Sequence, residues 1–176
     1  SSREVWFSFL AEPALLVSFI ALAKHSGVLS LSAIYASFGY YLWQEEFISL
    51  ILIGLVFSII LLSENSRIPV DDPNTHLELT MIHEVMVLDH GGPDLGLITY
   101  SSGLKLALFS IFISGLFPWS SLNPWIGLLL IGISLVVISL GVGIVESSMA
   151  RLPIRKVTHF LASAILISMV AFILSL

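Results

Sequence analysis

The sequence contains no cysteine. That excludes disulfides, thiolate metal sites, iron–sulfur ligation and a cysteine nucleophile within this chain. Charge is scarce too. Asp, Glu, Lys and Arg make up 11% of the 176 positions, where a soluble domain carries roughly a quarter. Only seven residues are Lys or Arg against twelve Asp or Glu, a net charge of −5. With no basic stripe, nucleic acid is excluded as a partner. Ser1–Glu4 lacks a signal-peptide pattern, and the apolar stretch after it runs too long for a signal h-region.

What is abundant is hydrocarbon. Hydrophobic residues make up 57% of the chain, and the mean hydropathy is +1.02. So apolar a chain cannot cover a water-soluble globule with polar surface, so membrane lipid is its expected solvent. A spanning helix needs about 20 apolar residues. Five stretches qualify: Val5–Ala23, Phe47–Ser63, Ile98–Phe117, Pro124–Val145 and Val157–Leu176. The expected fold class is therefore all-α: a polytopic membrane helical bundle forming a single membrane domain over residues 1–176. A sixth apolar stretch, Gly27–Trp43, is rich in Ser, Gly and Tyr and is closed by Glu45 and Glu46. Its three tyrosines and Trp43 suit the membrane–water boundary, so it reads as an interfacial or re-entrant segment, with a sixth span as the alternative.

With five spans, Arg3, Arg67, Arg151, Arg155 and Lys156 share one face and Lys24 falls on the other. The positive-inside rule makes the first face cytoplasmic. Six spans would give an equally lopsided split, so charge does not fix the count. It places the segment between the second and third spans in the cytoplasm either way.

That segment, residues 64–97, is where polarity concentrates. Glu64, Asp71, Asp72, Glu78, Glu84, Asp89 and Asp94 lie in it, with His76, His83 and His90 at intervals of seven and Arg67 as its one cation. Ile68 and Asp72 each precede a proline and are biased away from helix, so its first part reads as a turn. An amphipathic helix is expected from about Pro73–Thr75 to Asp89, stopped by Gly91, Gly92 and Pro93. Two plainer readings stand beside any functional one. Thr75-x-x-Glu78 is a capping-box pattern and Asp72-Pro73 a good N-cap with N1 proline, so Glu78 can be helix punctuation worth about 1 kcal/mol. The three histidines can be a metal stripe, but spacing of seven does not match the usual i, i+4 pairing.

The functional reading is a proton relay. Carboxylates near hydrocarbon tend to be protonated, paired or hydrated. Glu12 lies in the first span before Pro13, Lys105 lies about a third of the way into the third, and Glu64 and Glu146 end the second and fourth. With Asp71, Asp72, Glu78, Glu84 and Asp89 they form a candidate set of relay or coupling sites near or across the apolar slab. Lysine can also snorkel, and Glu146 can pair with Arg151 and Arg155 at the surface.

The run from Glu64 through Arg67, Pro69, Asp71, Asp72, Pro73, His76 and Glu78 to His83 and Glu84 closely resembles the membrane-anchor subunit of group 4 energy-converting nickel–iron hydrogenases. Its continuation, Val85-Met-Val-Leu-Asp89-His-Gly-Gly-Pro-Asp94-Leu, is similar to the formate hydrogenlyase subunit 4 or hydrogenase-4 component C type. The chain also resembles, more distantly, the quinone-site subunit of respiratory complex I. That family's E-x-x-R-x-P-x-D turn is matched by Glu64, Arg67, Pro69 and Asp71, and Ser2–Pro13 resembles an earlier span. Two positions usually acidic in complex I are Asn74 and His76 here, the next glutamate is displaced to Glu84 and Asp89, and Val70 replaces a phenylalanine. The resemblance covers essentially the whole chain. Since the family subunit has about eight spans and this sequence opens at Ser1, about three spans are expected to precede it.

The resemblance implies a non-catalytic subunit of an oxidoreductase complex in the prokaryotic inner membrane. It implies no cofactor in this chain, with the nickel–iron centre and iron–sulfur clusters in partner subunits. The implied partners are the hydrogenase large and small subunits, iron–sulfur subunits and antiporter-like membrane subunits. The subunit would anchor the hydrogenase arm and couple its redox reaction to proton or sodium translocation. Arg67, His76, His83, Asp94, Arg151 and Arg155 are the candidates for docking and charge pairing. The competing readings are a quinone-site subunit of a complex I-type NADH dehydrogenase, a purely structural anchor, and an independent transporter.

Overall fold

The computed structural model describes residues 2–37, 46–65, 92–119, 122–148 and 154–175. Its elements are α1 (Ser2–Ser26), α2 (Leu31–Ser37), α3 (Phe47–Glu64), α4 (Pro93–Gly115), α5 (Pro124–Ser148) and α6 (Ile154–Leu174). All described secondary structure is helical, and the five long helices are long and apolar enough to cross a membrane. The turn expected over 64–72 and the helix expected over 73–89 fall almost wholly outside the described residues.

The bundle is built on the most extensive contact, between α1 and α6. On α1, Ala11, Ala14, Ser18 and Ala21 are buried, a three-then-four spacing that keeps them on one face. On α6 the facing set is Val157, Leu161, Ala164, Ser168 and Ala171, also buried. Small side chains let two backbones approach closely, which is how helices associate when lipid removes the hydrophobic drive. The buried serines do not leave hydroxyls stranded: Ser18 Oγ donates to the Ala14 carbonyl at 2.8 Å and Ser168 Oγ to Ile165 at 2.8 Å. Pro13 sits inside α1 without ending it.

α3 fills the groove beside this pair. Val56, Ile59, Ile60 and Leu61 join Ala11, Ala14, Phe109, Val157 and Leu161 in one core cluster, while Leu50, Ile53 and Phe57 join Ala21, Leu22, Ile34, Leu116 and Ala171 in the other. Between them Phe19, Phe57 and Phe112 form an aromatic layer, with ring centroids 5.3–6.1 Å apart. α4 packs on α3 and α5 packs on α4, the last contact fixed by Ser134 Oγ donating to Ser114 Oγ at 2.6 Å. α5 and the outer side of α4 expose large apolar side chains, Leu128, Val136, Leu140 and Leu108 among them, as surfaces facing lipid or a membrane partner do.

α4 starts at Pro93, earlier than the Ile98 expected from hydropathy. Gly92 caps it with φ at 64°, a conformation glycine adopts freely, Pro93 takes the first turn and Asp94 lies in that turn. The dipeptide expected to stop one helix therefore starts the next.

One contact bears on the choice between an interfacial segment and a sixth span. His25, in the last turn of α1, lies 2.9 Å from Ser49 Oγ, in the first turn of α3. The end of α1 and the start of α3 therefore lie at the same end of the bundle, which fits the interfacial reading. Between them, α2 is a short helix wedged against the interior. Ile34 is buried, the Tyr35 ring stacks parallel to Phe112 at 6.4 Å, and the Tyr35 hydroxyl donates to the Phe112 carbonyl at 3.4 Å. Burial raises the Tyr35 phenol well above its usual pKa, which keeps it a donor. Tyr40, Tyr41 and Trp43 lie outside the described residues.

A Cβ at position 115 would run into the Tyr35 ring. Gly115→Ala is expected to lever α2 off the bundle, costing about 1–3 kcal/mol. Hydrogen exchange over Leu31–Ser37 in detergent should rise in the variant while the middle of α3 stays protected. Unchanged exchange in α2 would show that the ring moves aside at no cost.

Candidate functional site

The aromatic layer fixes the register of three helices. Glu12 lies about two turns before Phe19 on α1, Glu64 two turns beyond Phe57 on α3, and Lys105 two turns before Phe112 on α4. Because α3 runs antiparallel to α1 and α4, all three displacements point to the same end. Glu12, Glu64 and Lys105 therefore share one level of the bundle. Glu146, counted from the Ser114–Ser134 hydrogen bond on α4 and α5, falls within about a turn of it. His159 belongs to the same level, as the contact between Lys24 and the Phe172 ring sets α1 against α6.

The 18 residues of α3 rise through about 27 Å, close to the roughly 30 Å hydrocarbon core of a bilayer. One end of α3 carries Glu46 and the other Glu64. The charged level around Glu64 thus coincides with one boundary of the apolar slab. These groups form a layer at the end of α3 that carries Glu64. Lys105 meets that level from inside its own candidate span, because α4 continues past the level of Glu64 for several turns.

Within the layer, Lys105 Nζ lies 3.7 Å from Glu64 Oε2, with the lysine side chain 57% exposed and the glutamate 23%. A pair this open to its surroundings contributes about 0–1 kcal/mol, so it does little to hold the fold. Its significance is that a carboxylate and an ammonium from different helices meet where the acidic segment leaves the bundle. Glu12 is exposed and Glu146 half-buried; Glu12 is not within ion-pair distance of Lys105 or Glu64 among the described contacts. About a turn and a half deeper than Lys105, Ser110 Oγ is fully buried and has no hydrogen-bond partner among the described residues.

Asp94 is exposed in the first turn of α4. Asp71, Asp72, Glu78, Glu84, Asp89, Arg67, His76 and His83 lie outside the described residues, as do Arg151 and the side chain of Arg155, so the pairing expected for Glu146 with those arginines lies outside them too. Among the described residues no three His, Asp or Glu side chains gather as a metal site. Sequence reading missed His159, whose depth depends on the α1–α6 register, and His25, which looks like a helix-end surface residue until that register is known.

A family model described as NADH dehydrogenase matches residues 1–176. The chain belongs to that family. No curated protein and no solved structure gives a match. As an NADH dehydrogenase family member with five helices able to span a bilayer, it is a complex I-related, multi-pass membrane subunit. Membership implies a multisubunit respiratory complex as its setting.

Lys105→Met is expected to change the stability of the purified subunit by no more than about 1 kcal/mol, read as the shift of its thermal unfolding midpoint in detergent. A substantially larger loss would mean that the Glu64 pair lies in a much drier place than its exposure shows.

Proposed function

We propose that this chain is the membrane-anchor subunit of a hydrogen-metabolising complex of the formate hydrogenlyase or hydrogenase-4 kind. It seats the nickel–iron hydrogenase arm and couples that arm's redox reaction to proton or sodium translocation. The observation that carries the coupling part is the boundary layer of Glu12, Glu64, Lys105 and Glu146, brought to the end of the bundle where the acidic segment 64–97 begins and ends. A change in protonation among Asp71, Asp72, Glu78 and Glu84 alters the field at Glu64. Close like charges disfavour joint ionisation, so such a cluster shares protons. Lys105 meets Glu64, and a change at that pair then biases Glu12, Glu146 and the neighbouring membrane subunit. The buried hydroxyl of Ser110, without a hydrogen-bond partner among the described residues, supplies a polar foothold on the inner side of the layer.

The hydrogenase part is supported by the residues of the segment: the run from Glu64 to Asp94 follows the hydrogenase-anchor pattern, and Asn74, His76 and Val70 depart from the complex I pattern. Family membership alone equally suits a second reading, the quinone-site membrane subunit of a complex I-type NADH dehydrogenase. In either case the face bearing Glu64 is cytoplasmic by the charge rule.

Two measurements test this. The complex purified in mild detergent should contain a nickel–iron large subunit and show hydrogen evolution; quinone-dependent activity without nickel would establish the second reading. Glu78→Gln should lower ion translocation at least severalfold while the complex still assembles and turns over. Normal pumping in that variant would leave Glu78 as a helix cap, and loss of the complex would make the segment a docking element.

A further inference from the structure

The opposite end of the bundle carries a second polar constellation that the coupling layer does not use. His25 continues the buried seam of α1, one position beyond Ala21 in the three-then-four spacing, so its ring is driven into the junction of α1, α3 and α6. Its side chain is only 3% exposed. Nε2 lies 2.9 Å from Ser49 Oγ, Ser49 Oγ donates to the Ala171 carbonyl of α6 at 3.1 Å, and Nδ1 lies 3.7 Å from Glu46 Oε2. Glu46 is itself one-third exposed, so the buried ring reaches solvent through a carboxylate.

We propose that His25 and Glu46 hold a proton at this end of the bundle, and that its presence decides whether Ser49 ties α3 to α6. Ser49 has one hydroxyl hydrogen, and its direction follows from the ring. With the proton bound, both ring nitrogens are donors: Nδ1–H faces Glu46, Nε2–H donates to Ser49, and the hydroxyl hydrogen goes to Ala171. Without it, the neutral ring keeps Nδ1–H toward the ionised carboxylate, because the other tautomer would set a lone pair against that charge. Nε2 is then an acceptor, the Ser49 hydrogen turns to it, and the bond to α6 is lost. The Ala171 carbonyl still accepts from the Ser175 amide at 3.2 Å, so it is not stranded, and the exchange is cheap enough to run in both directions.

Among the described residues, no other charged group competes for the ring. Lys24 directs its ammonium over the Phe172 ring, 5.7 Å from the centroid, and acts on His25 only as a like charge. Tyr35 on α2 is committed to the Phe112 carbonyl. The titratable residues of α6, namely Arg155, Lys156 and His159, all lie toward its other end. The inference is independent of which complex the subunit serves.

The test uses the full chain in its native complex, reconstituted in phosphatidylcholine vesicles, with ¹⁵N-histidine and solid-state NMR across pH. Ring shifts distinguish the cation from each neutral tautomer, and subtracting the His25→Asn spectrum assigns His25 among the five histidines. His25 is expected to pass from the cation to the Nδ1–H tautomer, and Glu46→Gln is expected to move that midpoint down by about one pH unit, a tenfold change in proton affinity. Hydrogen exchange in the last turn of α6, corrected for intrinsic rate, should be slower on the acid side of the midpoint and indifferent to it in Ser49→Ala. An Nε2–H tautomer persisting above the midpoint, an unmoved midpoint in Glu46→Gln, or equal α6 protection on both sides would each overturn the proposal. If His25→Asn does not fold, the Glu46→Gln difference spectrum provides the assignment.

Discussion

Close approach of α1 and α6 along a seam of alanine and serine is the contact on which the remaining structure depends. Lipid tails are as apolar as leucine, so burial of hydrocarbon does not by itself choose helix neighbours in a bilayer. Shape does. Ala11, Ala14, Ser18 and Ala21 present a nearly flat face to Val157, Leu161, Ala164, Ser168 and Ala171, and the three-then-four spacing locks one helix in register with the other. The groove left beside that pair accepts α3, whose Phe57 meets Phe19, and Phe112 of α4 completes the aromatic layer. Each later helix is placed by the one before it.

Register is what turns scattered charges into a site. Glu12, Glu64 and Lys105 come from separate helices and occupy one level only because each lies two turns from the same aromatic layer. A slip of one turn on α4 would carry Lys105 about 5.4 Å away from Glu64, enough to break a pair that meets at 3.7 Å. The interior packing therefore decides which charges meet, even though the ion pair returns almost nothing to stability. The same seam that aligns this layer also buries His25 at the far end, about 20 Å along α1 from Glu12.

Much of the fold was legible in the sequence because hydropathy reports span existence directly. All five spans were foreseeable, with ends good to a few residues except at α4. There Gly91, Gly92 and Pro93 form a stop signal for the helix before them, and proline serves equally well as the first residue of the next, so local sequence does not show that α4 opens at Pro93. The path of residues 27–46 was undecidable from charge, since five and six spans gave equally lopsided distributions. The contact between His25 and Ser49 puts the two flanking helix ends at one end of the bundle. Hydropathy places Lys105 inside its span but does not show that it meets Glu64 there, because which groups share a level depends on how far each helix projects beyond its neighbours.

The two ends of the bundle differ in how their ionisable groups meet water. At the Glu64 end the carboxylates and ammonium are partly open, so covering them with an acidic segment or a partner subunit is an electrostatic event by itself. At the His25 end the titratable ring is already enclosed by packing, and only Glu46 connects it outward. An open layer can be reset by docking; an enclosed ring can be reset only by a proton and by the hydrogen bonds that follow it. One of each lies at opposite ends of the same seam, and the geometry of both depends on how α3 sits against α1 and α6.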